Sequence, residues 1–331
     1  MTVDLDGESL TIDRLVDVAR NKKNVKVTDG AWKRIENSRK MLEEKIDAHE
    51  TMYGVTTGIG EFSEVTLTPQ QIKKFQKLLI YSHAAGIGEP MEKEIVRGAM
   101  CGRINVHSKG NSGGRREVTE YLVKSLNHDL TPVVCEKGSV GACGDLSPMS
   151  QIALALMGEG EMFVNGKITD SKMALDKIGL RPLELEARDG LAIINGSNVL
   201  TALAAIILHD ARKWMKLHDI TAAMTLEALM ANMKPYDKRI HVLRGFSGAQ
   251  EVAANLNLIT KDSEILFSGK KKVQDAYSMR STPQVAGALR DAIKFASEQV
   301  ETELNGVGDN PIFLTREKEV LTGANFQGTP V

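Results

Sequence analysis

Residues 197–233 read SNVLTALAAIILHDARKWMKLHDITAAMTLEALMANM, 37 positions in a row without a glycine or a proline. Alanine, leucine, methionine and lysine dominate the run, and all four are strong helix formers. At a rise of 1.5 Å per residue, one continuous helix here is about 55 Å long. Rods of that length do not close around a compact centre alone; they pack side by side in bundles, often shared between subunits. The same reading extends in both directions. On the C-terminal side, 283–304 is a second long helical pattern. On the N-terminal side, Asp29 precedes a helix in which Trp32, Ile35, Met41, Leu42 and Ile46 recur at helical spacing. Thr68 and Pro69 read as N-cap and first helical residue, followed by Ile72, Phe75, Leu78 and Leu79 on one stripe. Residues 92–107 and 115–126 are further amphipathic stretches. Strand signals are confined to 59–67, 162–168 and 320–321, which read as short hairpins at one end. The expected class is all-α, a long-helix bundle, with one region over 1–195 and the long-helix region over 196–331.

Bulk properties exclude several functions. Lys and Arg number 42 against 43 Asp and Glu, a net charge of −1. Nucleic acid and anionic membrane both demand a basic surface, so neither is expected as a partner. The richest apolar run, 199–208, is broken by His209 and Asp210, too short to span a bilayer. The first six residues lack the basic-then-apolar layout of a signal peptide, which points to the cytoplasm. Cys101, Cys135 and Cys143 provide neither a disulfide framework nor a metal-ligand spacing, so no metal is expected.

The segments between helices are rich in Gly and Asn, where chemistry tends to be carried on a rigid scaffold. In 138–148, GSVGACGDLSP, glycines recur every third residue ahead of Asp145. One reading is a helix entry with Asp145 as N-cap and Pro148 in the first turn. Another is an anion nest, although the P-loop's Lys and Ser/Thr ending is missing.

A third reading comes from wording as well as spacing. The stretch resembles the signature of the aromatic amino acid ammonia-lyases, the histidine and phenylalanine enzymes, in which an Ala-Ser-Gly triplet cyclises to a methylidene-imidazolone. Here the triplet is Ala142-Cys143-Gly144, with Cys in place of Ser. A thiol can also leave by β-elimination, so the ring stays chemically reachable. Four more segments follow in matching order. Tyr53-Gly-Val-Thr-Thr-Gly58 is similar to Tyr-Gly-Val-Asn-Thr-Gly, and Ser82-His83-Ala-Ala-Gly86 resembles the histidine enzymes. Asn195-Gly-Ser197 is similar to Asn-Gly-Thr, and Gln274-Asp-Ala-Tyr277-Ser-Met-Arg280 to Gln-Asp-x-Tyr-Ser-x-Arg. Asp309-Asn310-Pro311 and Asn325-Phe326 complete the series.

The resemblance implies a fumarase/aspartase-like bundle and elimination of ammonia from an amino acid. No diffusible cofactor is involved; the electrophile is built from residues 142–144. It assigns the base to Tyr53, a donor to the ring oxygen to Asn195 and the carboxylate clamp to Arg280, whose guanidinium is planar and always charged. Tyr277 and Gln274 would support the ring and the polar end of the substrate, and Phe326 would pack beside the electrophile. Each has an ordinary alternative: a loop aromatic for Tyr53, a solvated surface charge for Arg280, a core aromatic for Phe326. Ser82-His83 points to L-histidine as substrate, giving urocanate. The stretch 325–330, NFQGTP, instead resembles the phenylalanine and tyrosine enzymes and leaves those lyases, or an aminomutase, as the alternative. The resemblance also implies a homotetramer whose sites draw residues from three subunits. The family's chains continue past the position of Val331, so its C-terminal part is expected to lie outside this sequence. An uncyclised form acting only as an assembly subunit is the non-enzymatic alternative.

Overall fold

A computed structural model describes residues 2–331. Helices form where the patterns place them: Asp29–Asp47, Pro69–His83, Lys93–Lys109, Arg116–Asn127, Leu146–Leu156, Asn198–Ala228 and Thr282–Leu304. Thr68 makes a full capping box, its hydroxyl taking the Gln71 amide while the Gln71 side chain takes the Thr68 amide. The 197–233 run ends earlier than its composition suggests. Met230 turns left-handed at φ 51°, and the Asn232 amide is bonded at 2.6 Å by the Asp275 carboxylate instead of a helical carbonyl. At 31 residues the observed helix is about 46 Å long.

Strands are short. Glu161–Val164 pairs antiparallel with Lys167–Asp170, and Ile312–Leu314 with Glu319–Leu321, close to two of the three expected sites. The third expectation is corrected. Residues 59–67 form a single 3-10 turn at Gly60–Phe62 and an isolated bridge from Thr57 to Thr66. The amides of Phe62, Ser63 and Val65 donate to the carbonyls of Ile59, Gly60 and Phe62, which curls the chain instead of extending it. A parallel pair, Val3–Leu5 with Val25–Val27, was not signalled because three residues carry too little alternation to read.

Two compact units result, and they do not follow chain order. The first runs to Ile206 and includes Gln299–Val331; the second is Ile207–Glu298. The sequence reading divides the chain once, at 195/196, because a helix that crosses a border carries no composition change to mark it. At the centre of the first unit lies Lys93–Lys109, buried continuously from Val96 to Ser108. Gly98 lets it close on the Asn198–Ala228 helix: a Cβ there would stand 3.0 Å from the Ala202 methyl. This central helix nevertheless carries Arg97, Arg103, Asn105 and His107. In the second unit, the helix Ser247–Thr260 crosses Thr282–Leu304 where Gly248 meets Gly287 backbone to backbone. Asp291 caps the shorter helix there, accepting from Ser247 Oγ and Gly248 N, both at 2.9 Å.

Candidate active site

The 138–148 segment is a tight turn pinned to a second glycine segment. Gly141 and Gly144 both have positive φ, 69° and 78°, and they bridge each other across Ala142 and Cys143. Gly144 also bridges Gly196, and the Asp145 amide donates to the Gly196 carbonyl at 2.8 Å. A side chain on Gly144 would overlap that carbonyl, so no other residue fits the approach. Cys143 is exposed at the crest. Asp145 does stand at the N-cap position of Leu146–Leu156, but its carboxylate caps a different helix. Oδ1 accepts from Ser139 Oγ at 2.7 Å, and Oδ2 accepts from the Leu200 amide at 2.8 Å, in the first turn of Asn198–Ala228.

Asn195 ends the short buried helix Asp189–Ile194 and is itself buried. Its carbonyl accepts from the Arg103 guanidinium. One end of its side-chain amide, assigned as Oδ1, is buried with no partner among the described residues. Rotating the amide exchanges oxygen and nitrogen, so a hydrogen-bonding group is held in reserve next to Gly196. A buried polar atom left without a partner costs about 1–3 kcal/mol.

Tyr53 is half-buried in the turn closed on Met52, and its hydroxyl accepts from the Gly60 amide at 3.3 Å. Thr56, which stands where the resembled segment has Asn, faces inward: its Oγ1 accepts from Met52 N and donates to Glu50 O. A residue that sequence reasoning missed ties this turn to Asn195's helix. Gln76 is fully buried; its Nε2 donates to Gly54 O, and its Oε1 accepts from Leu191 N, both at 3.3 Å. The signal was available, since Gln76 interrupts an apolar row at four-residue spacing between Ile72 and Ile80. His83 is the last residue of its helix, half-buried. Its Nδ1 lies 2.9 Å from both the Leu79 carbonyl and Ser82 Oγ; the tautomer with the proton on Nδ1 serves that carbonyl and leaves Nε2 as an acceptor. Gly86, three residues on, packs against Gly138 of the glycine turn.

The Phe326 carbonyl accepts from Ser197 Oγ at 3.3 Å, and Gly328 closes on the same hydroxyl. The first unit thus gathers the 142–144 turn, Asn195, Gly196 and the Phe326 turn into one connected patch, with Tyr53 and His83 tied in through Gln76 and Gly86. Gln274, Tyr277 and Arg280 belong to the second unit. There the Arg280 guanidinium lies 4.1 Å over the Tyr277 ring, a cation–π stack, and its Nε is buried without a partner among the described residues. Tyr277 is 73% exposed and Gln274 is exposed. Among the described residues no cluster of His, Cys, Asp and Glu is arranged to hold a metal ion. No helix among them is long and apolar enough to cross a membrane.

Such an all-helical scaffold, with a glycine turn held against an Asn-Gly segment, defines a class before any member of it is invoked. Residues 10–331 match the family Aromatic amino acid lyase. A histidine ammonia-lyase of Alkaliphilus metalliredigens is 41% identical over 330 residues, 99% of this chain and 65% of the relative. Among solved structures, histidine ammonia-lyase from Trypanosoma cruzi is 35% identical at a TM-score of 0.90, covering all of this chain and 62% of that one. The ergothioneine-degrading enzyme ergothionase of Treponema denticola is 27% identical at a TM-score of 0.95, covering all of this chain and 66% of that one. The chain belongs to the aromatic amino acid lyase family and has its all-helical, fumarase/aspartase-like fold. It spans 65% of the length of the Alkaliphilus relative.

Proposed function

We propose that this chain forms part of an ammonia-lyase that converts L-histidine to urocanate and ammonia in the cytoplasm, with an electrophile built from Ala142, Cys143 and Gly144. The observation that carries this is the 141–144 turn, closed on itself and held against Gly196, whose neighbour Asn195 keeps Oδ1 buried without a partner among the described residues. A five-membered ring made from this backbone fits the cradle, since Gly144 leaves the space that a Cβ would fill. When formed, the ring supplies a carbon electrophile that activates the substrate for loss of its amino group. The chain's own residues do the rest. Asn195 donates to the ring oxygen, where negative charge grows. Tyr53 removes the β-proton at its hydroxyl oxygen, and the Gly60 amide already donates to that atom. Arg280 binds the substrate carboxylate in a charge-assisted pair, Gln274 and Tyr277 hold its polar end, and Phe326 excludes water beside the electrophile. His83 Nε2 accepts from the substrate imidazole, which favours histidine over phenylalanine.

The assembly is a homotetramer with sites completed by other copies. Ile207, Trp214, Leu217 and Met224 recur at helical spacing on the long helix and are 53–63% exposed, an apolar stripe that a second copy would cover. The expected partners are the amino acid and other copies of the chain. Intact mass of the protein is the test. Ring formation removes one water and one hydrogen sulfide, so an unchanged mass ends the electrophile reading and leaves an assembly subunit. Ultraviolet assays with histidine, phenylalanine, tyrosine and ergothioneine then fix the substrate; cinnamate or coumarate in place of urocanate would favour the 325–330 marker.

A further inference from the structure

We propose that Arg103 is the positioning residue of this site: from inside the core it fixes the Asn195–Gly196 backbone against which the 142–144 turn is closed. For its catalytic consequence the idea rests on the ammonia-lyase reading; for its geometry it does not.

Arg103 is fully buried on the central helix Lys93–Lys109, and both of its terminal nitrogens are engaged. Nη1 donates to the Asn195 carbonyl and, at 3.2 Å, to Asn198 Oδ1. Nη2 pairs with Asp309 Oδ2 at 2.8 Å, and Nε faces His107 Nε2 at 3.1 Å, a nitrogen that also lies 2.9 Å from the Ala192 carbonyl. Asp309, also fully buried, takes Arg188 Nη2 at 3.2 Å on its other oxygen and the Ser112 hydroxyl as well. Two guanidinium groups therefore share one carboxylate. His107 adds no charge, because burial first and Arg103 second lower its pKa to about 4. Excess positive charge in a core is costly unless polar groups surround it. Arg188 meets that need with the carbonyls of Ser112 and Asn310, at 2.7 and 2.9 Å. Arg103 meets it with the carbonyl of Asn195, so this bond is charge-assisted and among the strong ones.

The bond's position gives it a second consequence. Directly after the Asn195 carbonyl comes the Gly196 carbonyl, which accepts from Asp145 N, and Gly144 bridges the same residue. A Cβ on Gly196 would stand 3.0 Å from Arg103 Nη1 and from Gly308 O, so the segment lies directly on the guanidinium. The chain of contacts runs from Arg103 through two successive carbonyls to the turn itself. Lysine could neutralise Asp309 as a point charge, but only a planar fork reaches Asp309, Asn195 and Asn198 together.

Arg103→Lys tests this, with Arg188→Lys as its control, because Arg188 touches Asp309 but not Asn195. Amide exchange read by mass spectrometry, intact mass and steady-state kinetics are measured on the whole protein. Arg103→Lys should speed exchange at least tenfold in peptides covering 141–147 and 195–200 while the Lys93–Lys109 helix stays protected. It should slow ring formation and lower kcat at least tenfold with KM little changed, since the carboxylate clamp is elsewhere. Arg188→Lys should lower stability comparably without the loop effect. If the two variants behave alike in the loop, or neither disturbs it, the proposal is overturned. Should Arg103→Lys not fold, Gly196→Ala lifts the segment off Arg103 and must give the same exchange pattern; a protected loop there also overturns it. If the wild-type chain carries no ring, the exchange data still decide the role of Arg103, and the ammonia-lyase reading fails alone.

Discussion

The two units keep their buried charge in different ways. The first encloses Arg103, Asp309 and Arg188 with no exposure and satisfies the two guanidinium groups with four backbone carbonyls from three segments. The second buries Asp219 at the foot of the long helix, where Arg290 at 2.6 Å, Asn255 at 2.7 Å and His218 at 3.2 Å share its oxygens. Arg290, however, stays partly solvent-exposed and also reaches the exposed Glu251. Exposed apolar side chains occur in both units, Phe62, Ile87 and Val140 among them in the first, but they are denser in the second. The second unit shows Trp214, Met224, Val285 and Phe295 to solvent, all more than half exposed. Monomers rarely leave so much apolar surface uncovered. The contrast separates a unit whose buried charges hold a shaped turn from one whose outer faces fit the proposed assembly.

Breaking the turn should have the largest effect. Gly144→Ala puts a methyl into the Gly196 carbonyl, and we expect complete loss of turnover with the mass of an uncyclised chain; measurable activity would mean the turn is less constrained than its contacts indicate. Next, Asp309→Ala leaves two buried guanidinium groups unpaired and should cost about 3–5 kcal/mol in urea unfolding, whereas Asp219→Ala, with solvent near Arg290, should cost about 1–3 kcal/mol. Equal losses would erase the contrast between the units. The third is a pH effect specific to the first unit. His107 has a folded pKa of about 4, below its ordinary value of 6.5, so the unfolded chain binds the proton first. The stability it permits is present above pH 6.5 and is lost as pH falls toward 4, by roughly 3 kcal/mol. His107→Gln should flatten that slope; an unchanged acid limb would assign it to other groups. Arg280→Ala, in the second unit, should raise KM about 10- to 100-fold, as one charge-assisted pair is worth roughly 1.5–3 kcal/mol, with no change in the first unit's exchange protection. Unaltered KM would put the carboxylate elsewhere. Trp214→Glu should perturb the fold least, reducing the assembly to smaller species in native mass measurements while each chain stays folded. A persistent tetramer would remove the stripe from the interface.

Much of this was legible beforehand, and the failures have physical reasons. Long helices declare themselves through unbroken composition, so 197–233 and 283–304 could be read directly. The glycine turn and the Asn195 segment were readable as wording. What the sequence does not carry is which side chain serves which partner. Asp145 reads as the cap of its own helix, yet it caps the first turn of another, because that turn begins beside it only after folding. Arg103 and Gln76 each interrupt an apolar helical row, which marks them as buried, but their partners lie 92 and 115 positions away. The 59–67 segment misled because the amides of Phe62, Ser63 and Val65 bond three residues back, so only the bridge between Thr57 and Thr66 pairs as a strand would.

Cys143, at the crest of its turn, is open to solvent. Cys101 is sealed in the core, its thiol pushed up to about 12 by burial, and Cys135 is half-buried with its sulfur accepting from Gln151. An alkylating reagent would therefore label position 143 ahead of the other two, and only while that residue keeps its sulfur. Under the proposed ring formation that sulfur leaves, so the fading of a single thiol tag would time the step from outside.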